Sequence, residues 1–167
     1  MVYGVPPASS RDIRWTESLA AIGPLLCLYP VSEPDVLSAL AIASRLRVSV
    51  RIDVHGPCEC LNFFDDDWRP CWRIYRLPDS DRLSWDQLVA ECLGEDDDET
   101  PDWPWRFGTA IERRLGNPLW RASPLLLHSS RTTAGAARLA ASPARLSFAG
   151  NEAARHIARI AGAMLAA

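Results

Sequence analysis

The stretch RVSVRIDVHGPCECLNFFDDDWRPCWRIYR, residues 47–76, decides the fold. Val48, Val50, Ile52 and Val54 alternate with Arg47, Ser49, Arg51 and Asp53, which is the two-residue period of a half-buried strand. Gly56-Pro57 turns the chain into a second strand, Cys58–Phe64, with Leu61 and Phe63 on one face. Asp65-Asp66-Asp67 is a solvated turn, and Cys71–Arg76 returns with Trp72 and Ile74 on one face. These residues predict an antiparallel meander of three strands.

On the N-terminal side, residues 1–10 form a Pro- and Ser-containing lead-in. Ser9 or Ser10 is placed to cap a helix to about Ala21, carrying Ile13, Leu19 and Ile22 as apolar positions and stopped by Gly23-Pro24. Leu25–Tyr29 is a short apolar run bounded by Pro30, a strand or a buried extended piece. Ser32, with Glu33, Pro34 and Asp35 in a first turn, predicts a second helix through Val36, Leu37, Leu40, Ile42 and Leu46.

On the C-terminal side, Ser84 and Gln87 form a capping box for a helix through about Leu93. The acidic run 94–102 reads as a surface loop, and Trp103-Pro104-Trp105 leads to a short helix near Thr109–Leu115. Leu119–Ser129 reads as a strand interrupted at Pro124, which suits an edge or a bulge. Thr132–Ala141 is expected as an Ala-rich helix and Arg145–Ala149 as a short strand. Asn151 is expected to cap a last helix, 152–166, with Ile157, Ile160, Ala161 and Met164 as its apolar stripe. The expectation is a single α+β domain over 1–167, an antiparallel β-sheet with flanking helices.

Composition narrows the function. With 167 residues, 48% apolar and 23% charged, the chain has the balance of an ordinary globular domain. A net charge of −3 argues against nucleic acid as the main partner. No apolar run reaches the ~18 residues that a membrane span needs, and no basic stretch followed by an apolar one marks a secretory signal, which predicts a cytoplasmic protein. All 18 basic residues are arginine, so no Walker lysine exists. The GxSxG, GxGxxG and HExxH signatures are missing as well, which weighs against an enzyme. Five cysteines, an odd number without zinc-site spacing, suit buried structural thiols; Cys58 and Cys60 would share a strand face.

What remains for chemistry is a small set of side chains. His55 ends the alternating strand beside Gly56-Pro57, and His128 closes the apolar run Leu125-Leu126-Leu127. His156 lies at the boundary of the last helix's stripe, with solvent as its default. Tyr75 alternates away from Trp72 and Ile74, and together with Arg51 and Arg73 on neighbouring strands it would suit a flat, apolar di-acid. In that reading the phenol can coordinate iron and the arginines pair with carboxylates. Trp68, Trp72, Trp85, Trp103 and Trp105 crowd the same region as core plates or pocket walls.

Cys60-Leu61-Asn62-Phe63-Phe64-Asp65, the following turn, Trp72-Arg73-Ile74-Tyr75 and Trp85-Asp86-Gln87-Leu88-Val89 together resemble the haem-utilisation family of cytoplasmic hemin-transport proteins. Trp15–Leu19 and Leu25-Leu26-Cys27-Leu28 with the following helix look like that family too, so the resemblance covers about 15–93. The family's Arg-Asn and Val-His-Glu signature is replaced here by Pro30-Val31-Ser32-Glu33-Pro34. The resemblance implies an antiparallel α+β fold, often a homodimer, and haem bound in a cleft by His or Tyr with arginines near the propionates. On it, His128 and then His55 are the expected iron ligands, followed by Tyr75, with Arg51 and Arg73 for the propionates. The function expected is haem uptake, trafficking or storage. The alternative is a non-enzymatic interaction module, a small chaperone or immunity-type partner, that keeps the fold without haem. An enzyme that opens or reduces the haem ring is a third reading, and it needs an electron donor.

Overall fold

The computed structural model describes residues 10–93, 119–131 and 137–166. The acidic run 94–102, Trp103, Trp105 and the helix expected near 109–115 lie outside the described residues. Helix α1 (Ser10–Ala21) ends at Gly23, whose φ of 83° lies in the left-handed region that glycine adopts freely. The chain then enters β1 (Pro24–Pro30), buried at every position from Leu25 to Tyr29. That continuous burial has a simple cause: β1 lies between β4 (Pro70–Arg76) and β5 (Trp120–Arg131), with helices over both faces. The sheet order is β2-β3-β4-β1-β5-β6, with β2 (Arg45–Asp53), β3 (Gly56–Phe64) and β6 (Ala137–Pro143).

The meander β2-β3-β4 forms as its alternation predicts, with Val48 opposite Leu61 and Leu61 opposite Ile74. On that face Leu61, Phe63, Trp72 and Ile74 join Leu25 and Cys27 under α1, α2 (Val36–Ala41) and α3 (Arg82–Leu93). Leu19, Trp85 and Leu88 enter this core from the helices, and Ile22 from just beyond the end of α1. The opposite face carries a second core, where Leu26, Leu28, Trp120 and Ala122 meet Ala154, Ile157 and Ala158 of α4 (Phe148–Ala161). Among the described residues no helix is long and apolar enough to cross a membrane.

Several local expectations are corrected. Helix α2 starts one residue after Asp35, whose carboxylate accepts from the N–H groups of Leu37 and Ser38, so Asp35 and not Ser32 is the cap. It stops at Ala41, and Leu46 belongs to β2. Asp81, not Ser84, caps α3 by accepting from Ser84 N–H at 2.7 Å. Of the stretch 132–141 expected as helix, 132–136 lie outside the described residues and 137–141 belong to β6; pairing with β5 and burial of Leu139 outweigh the helix propensity of alanine. Residues 148–149, expected in a strand, open α4, because Ser147 Oγ accepts from Gly150 N–H. Asn151 therefore sits inside the helix, and Gly162 in the left-handed conformation ends it. Met164 falls in β7 (Ala163–Leu165), which runs parallel to β5.

Pro124 sits in an interior strand, not at an edge. Its carbonyl accepts from Ala144 N–H, so its nitrogen faces the same flank. On that flank β6 pairs with β5 from Leu125 onward and β7 only with 120–122. The missing donor thus falls at the seam between two partners.

Candidate functional site

The tight turn between β2 and β3 builds one wall of a cleft. Asp53 pairs with Gly56, so Val54 and His55 form the turn itself, and Gly56 takes a φ of 104°. The Asp53 carboxylate accepts from the backbone N–H of His55 at 2.8 Å, which fixes the turn. The end of β4 with Leu77 and Pro78 gives the floor, and α4 gives the other wall. The cleft has a volume of about 690 Å³ and is lined by Asp53, His55, Pro57, Cys58, Arg76, Leu77, Pro78, Ala149, Glu152, Ala153, Arg155, His156, Ile157 and Arg159, among others.

His156 is tied at both ring nitrogens. Its Nε2 lies 2.7 Å from Asp53 Oδ2, and its Nδ1 lies 3.1 Å from an Arg159 guanidinium nitrogen. A guanidinium can only donate, so Nδ1 is the acceptor and Nε2 carries the proton that the carboxylate receives. That hydrogen bond, followed by the one from His55 N–H, holds the Asp53 carboxyl below the usual carboxylate range. The ring of His55 packs edge-on against His156, with centroids 4.2 Å apart. His55 itself is exposed, and its ring nitrogens have no hydrogen-bond partner among the described residues. Arg76 is held by Glu59 at 3.0 Å and Arg155 by Glu152 at 2.7 Å. Cys58 also lines the cleft, but burial pushes its thiol pKa up, so it is a poor nucleophile.

The residues expected from the sequence do not converge here as a group. His55 lines the cleft, whereas His128 lies on β5, exposed, with its Nε2 2.6 Å from Ser142 Oγ on β6. Tyr75 is half-buried on β4 opposite Leu26 and Cys60, packed against the second core, and burial pushes its phenol up. Arg51 and Arg73 are not on neighbouring strands, because β3 separates β2 from β4. Arg51 is exposed, and Arg73 stacks 4.7 Å from the Trp120 ring. Tyr75, Arg51 and Arg73 all stand outside the cleft lining.

His156, expected to face solvent, is half-buried and partnered, and Arg76, Arg155 and Arg159 supply the cations. The signal that was available is Asp53-x-His55 at a strand end; its partner is 103 residues away in sequence. Among the described residues no three of His, Cys, Asp and Glu gather around one point as a metal site. Buried Cys27, Cys60 and Cys71 are free thiols; burial raises Cys60 to about 12 and Cys71 to about 11. Compared with models of known protein families, with curated proteins and with solved structures, the chain matches none.

Proposed function

We propose that this chain is a binding protein of the cytoplasm and that the cleft takes haem for uptake, transfer or storage. The observation that carries the reading is an unpaired imidazole beside three arginines and an apolar lining, in one cleft. Haem asks for an axial ligand, for cations near its carboxylates and for apolar walls. His55 offers the ring nitrogen, while His156 cannot, since Asp53 and Arg159 use both of its own. Arg159 and Arg155 keep further N–H donors beyond the bonds they make, enough for carboxylates. Pro57, Leu77, Ala153 and Ile157 supply apolar surface, and the volume falls in the roughly 300–1,000 Å³ range of small-molecule sites. The haem-utilisation likeness of residues ~15–93 points the same way. When bound, the iron porphyrin would supply the colour and redox chemistry; this chain's residues would bind and orient it.

Titration of the purified chain with hemin, followed by absorption, tests this. The expected result is a saturable Soret shift that His55→Ala abolishes and His128→Ala leaves unchanged. No saturable shift overturns the reading, and loss of the shift in His128→Ala but not in His55→Ala moves the site out of the cleft. The second reading, a protein-interaction module, has its own support in the exposed apolar edge of β2.

A further inference from the structure

Among the described residues strand β2 ends the sheet at one side and pairs with β3 alone, so one row of its backbone groups is unpaired by the rest of the sheet. Its apolar face does not stay covered along its length. Leu46 and Val48 are half-buried against the first core, but Val50, Ile52 and Val54 are 59%, 81% and 94% exposed. Two β-branched side chains on one face of this edge, with Val54 in the turn just beyond them, are a template for another strand.

The strand is complementary to itself in one antiparallel register. With Val50 on a two-fold axis, Ile52 of one copy faces Val48 of the other, and the turn residue Val54 comes at the end of the row, nearest Leu46. On the opposite face Asp53 meets Arg47 and Arg51 meets Ser49, so each copy contributes one opposite-charge pair and no like charges meet. Shifting the axis to Ser49 sets Arg47 against Arg51, and shifting it to Arg51 sets that residue against itself. An axis at Val48 opposes Arg45 and Arg51, and one at Ile52, although it sets Arg51 against Asp53, leaves residues 45–49 of each strand beyond the end of its partner. A slip of one residue between the strands would put the apolar face of one against the polar face of the other.

We propose that β2 is the edge through which two copies of this chain pair, joining their sheets about a two-fold axis at Val50. The occupant is a second copy and not an unrelated strand because the charges and the apolar positions of β2 are matched by β2 itself. The pairing stands whatever the cleft binds.

Sedimentation velocity on the full chain, from about 1 to 100 µM, reads the result without any ligand. The expected mass is twice the 18.5 kDa of the chain. Ile52→Lys should halve it with an unchanged circular dichroism spectrum, and Val54→Lys, at a still more exposed position, repeats the test should Ile52→Lys fold poorly. Under mild oxidation Val50→Cys should give a dimer-sized band on a non-reducing gel that neither the parent nor Ser49→Cys gives, since only position 50 meets itself. A monomer throughout the range overturns the proposal. So does a dimer that survives both lysine substitutions, or equal cross-linking at positions 49 and 50.

Discussion

Replacing Ser80 by alanine should loosen the joint on which the cleft floor and the seat of α4 both rest. The Ser80 hydroxyl accepts from Leu77 N–H at 2.8 Å and donates to the Pro24 carbonyl at 2.5 Å, and the residue is only 8% exposed. Two backbone bonds close the same joint, Ser80 N–H to Leu77 O and Asp81 N–H to Ile22 O. Alanine spares those two but leaves the Leu77 N–H buried without an acceptor. An ordinary hydrogen bond is worth about 1 kcal/mol net, and an orphaned buried group costs about 1–3 kcal/mol. Together these give a loss of about 2–4 kcal/mol, and a midpoint lower by about 4–16 °C for a chain of this length. Urea unfolding with an unchanged slope would assign the loss to the folded state. Ser147→Ala, which removes an N-cap, is the reference and should cost about 1 kcal/mol. A loss for Ser80→Ala no larger than that of Ser147→Ala would refute the reasoning, since it would mean that water or a shifted backbone satisfies Leu77.

Two further outcomes follow from the same region and from the acidic caps. A Cβ at Gly150 would meet the Asp79 carboxylate and come within 3.3 Å of Leu146 Cβ, so Gly150→Ala should displace Asp79 from its bond with Ser147 N–H. The cost should be about 1–3 kcal/mol despite alanine's better helix propensity, read by the same urea curves. Asp35, held down chiefly by Ser38 N–H, Asp53, held down chiefly by His156, and Asp81, held down chiefly by Ser84 N–H, all have carboxyl pKa values lowered on folding. The unfolded chain therefore binds protons more tightly at these sites. Their stabilisation is complete above the ordinary carboxyl value of about 4 and is lost as the pH falls through the lower folded values. The urea midpoint should drop on acidification below about pH 4, and Asp35→Asn should shrink that drop; a midpoint that rises there contradicts the assignment.

How far the sequence can be read depends on where each residue's partner lies. The meander is legible because its determinants are local: alternation in β2 and β3, a tight turn at each end, and Trp72 and Ile74 two residues apart. The segment 137–143 is not, because its alanines carry a helix preference and only the neighbouring β5 makes a strand of them. Pro124 misleads for the same reason. A proline reads as an edge signal until the end of β6 and the start of β7 are seen to leave a gap opposite its nitrogen. Alternation also overstates burial in β2, since the period reports which residues share a face and not whether that face is covered. Val48 is covered; Ile52 is not.

The two histidines of the cleft divide by their partners, and that division explains why the site hides in the sequence. His156 spends Nε2 on Asp53 and Nδ1 on Arg159, two side chains from two elements holding one ring in place. His55 rests against that ring and lines the cleft, with its nitrogens unspent among the described residues. A histidine fixed at both nitrogens positions, and one left free can ligate. The space between β3 and α4 exists because α4 presents Ala149 and Ala153, four residues apart on one side, to the cleft. Larger side chains there would fill the opening and bury His55, yet nothing in an Ala-rich helix marks those two alanines as a wall. Only the packing of Ile157 and Ala158 onto Leu26 and Leu28, which sets the rotation of α4 on the sheet, turns that side of the helix toward Asp53.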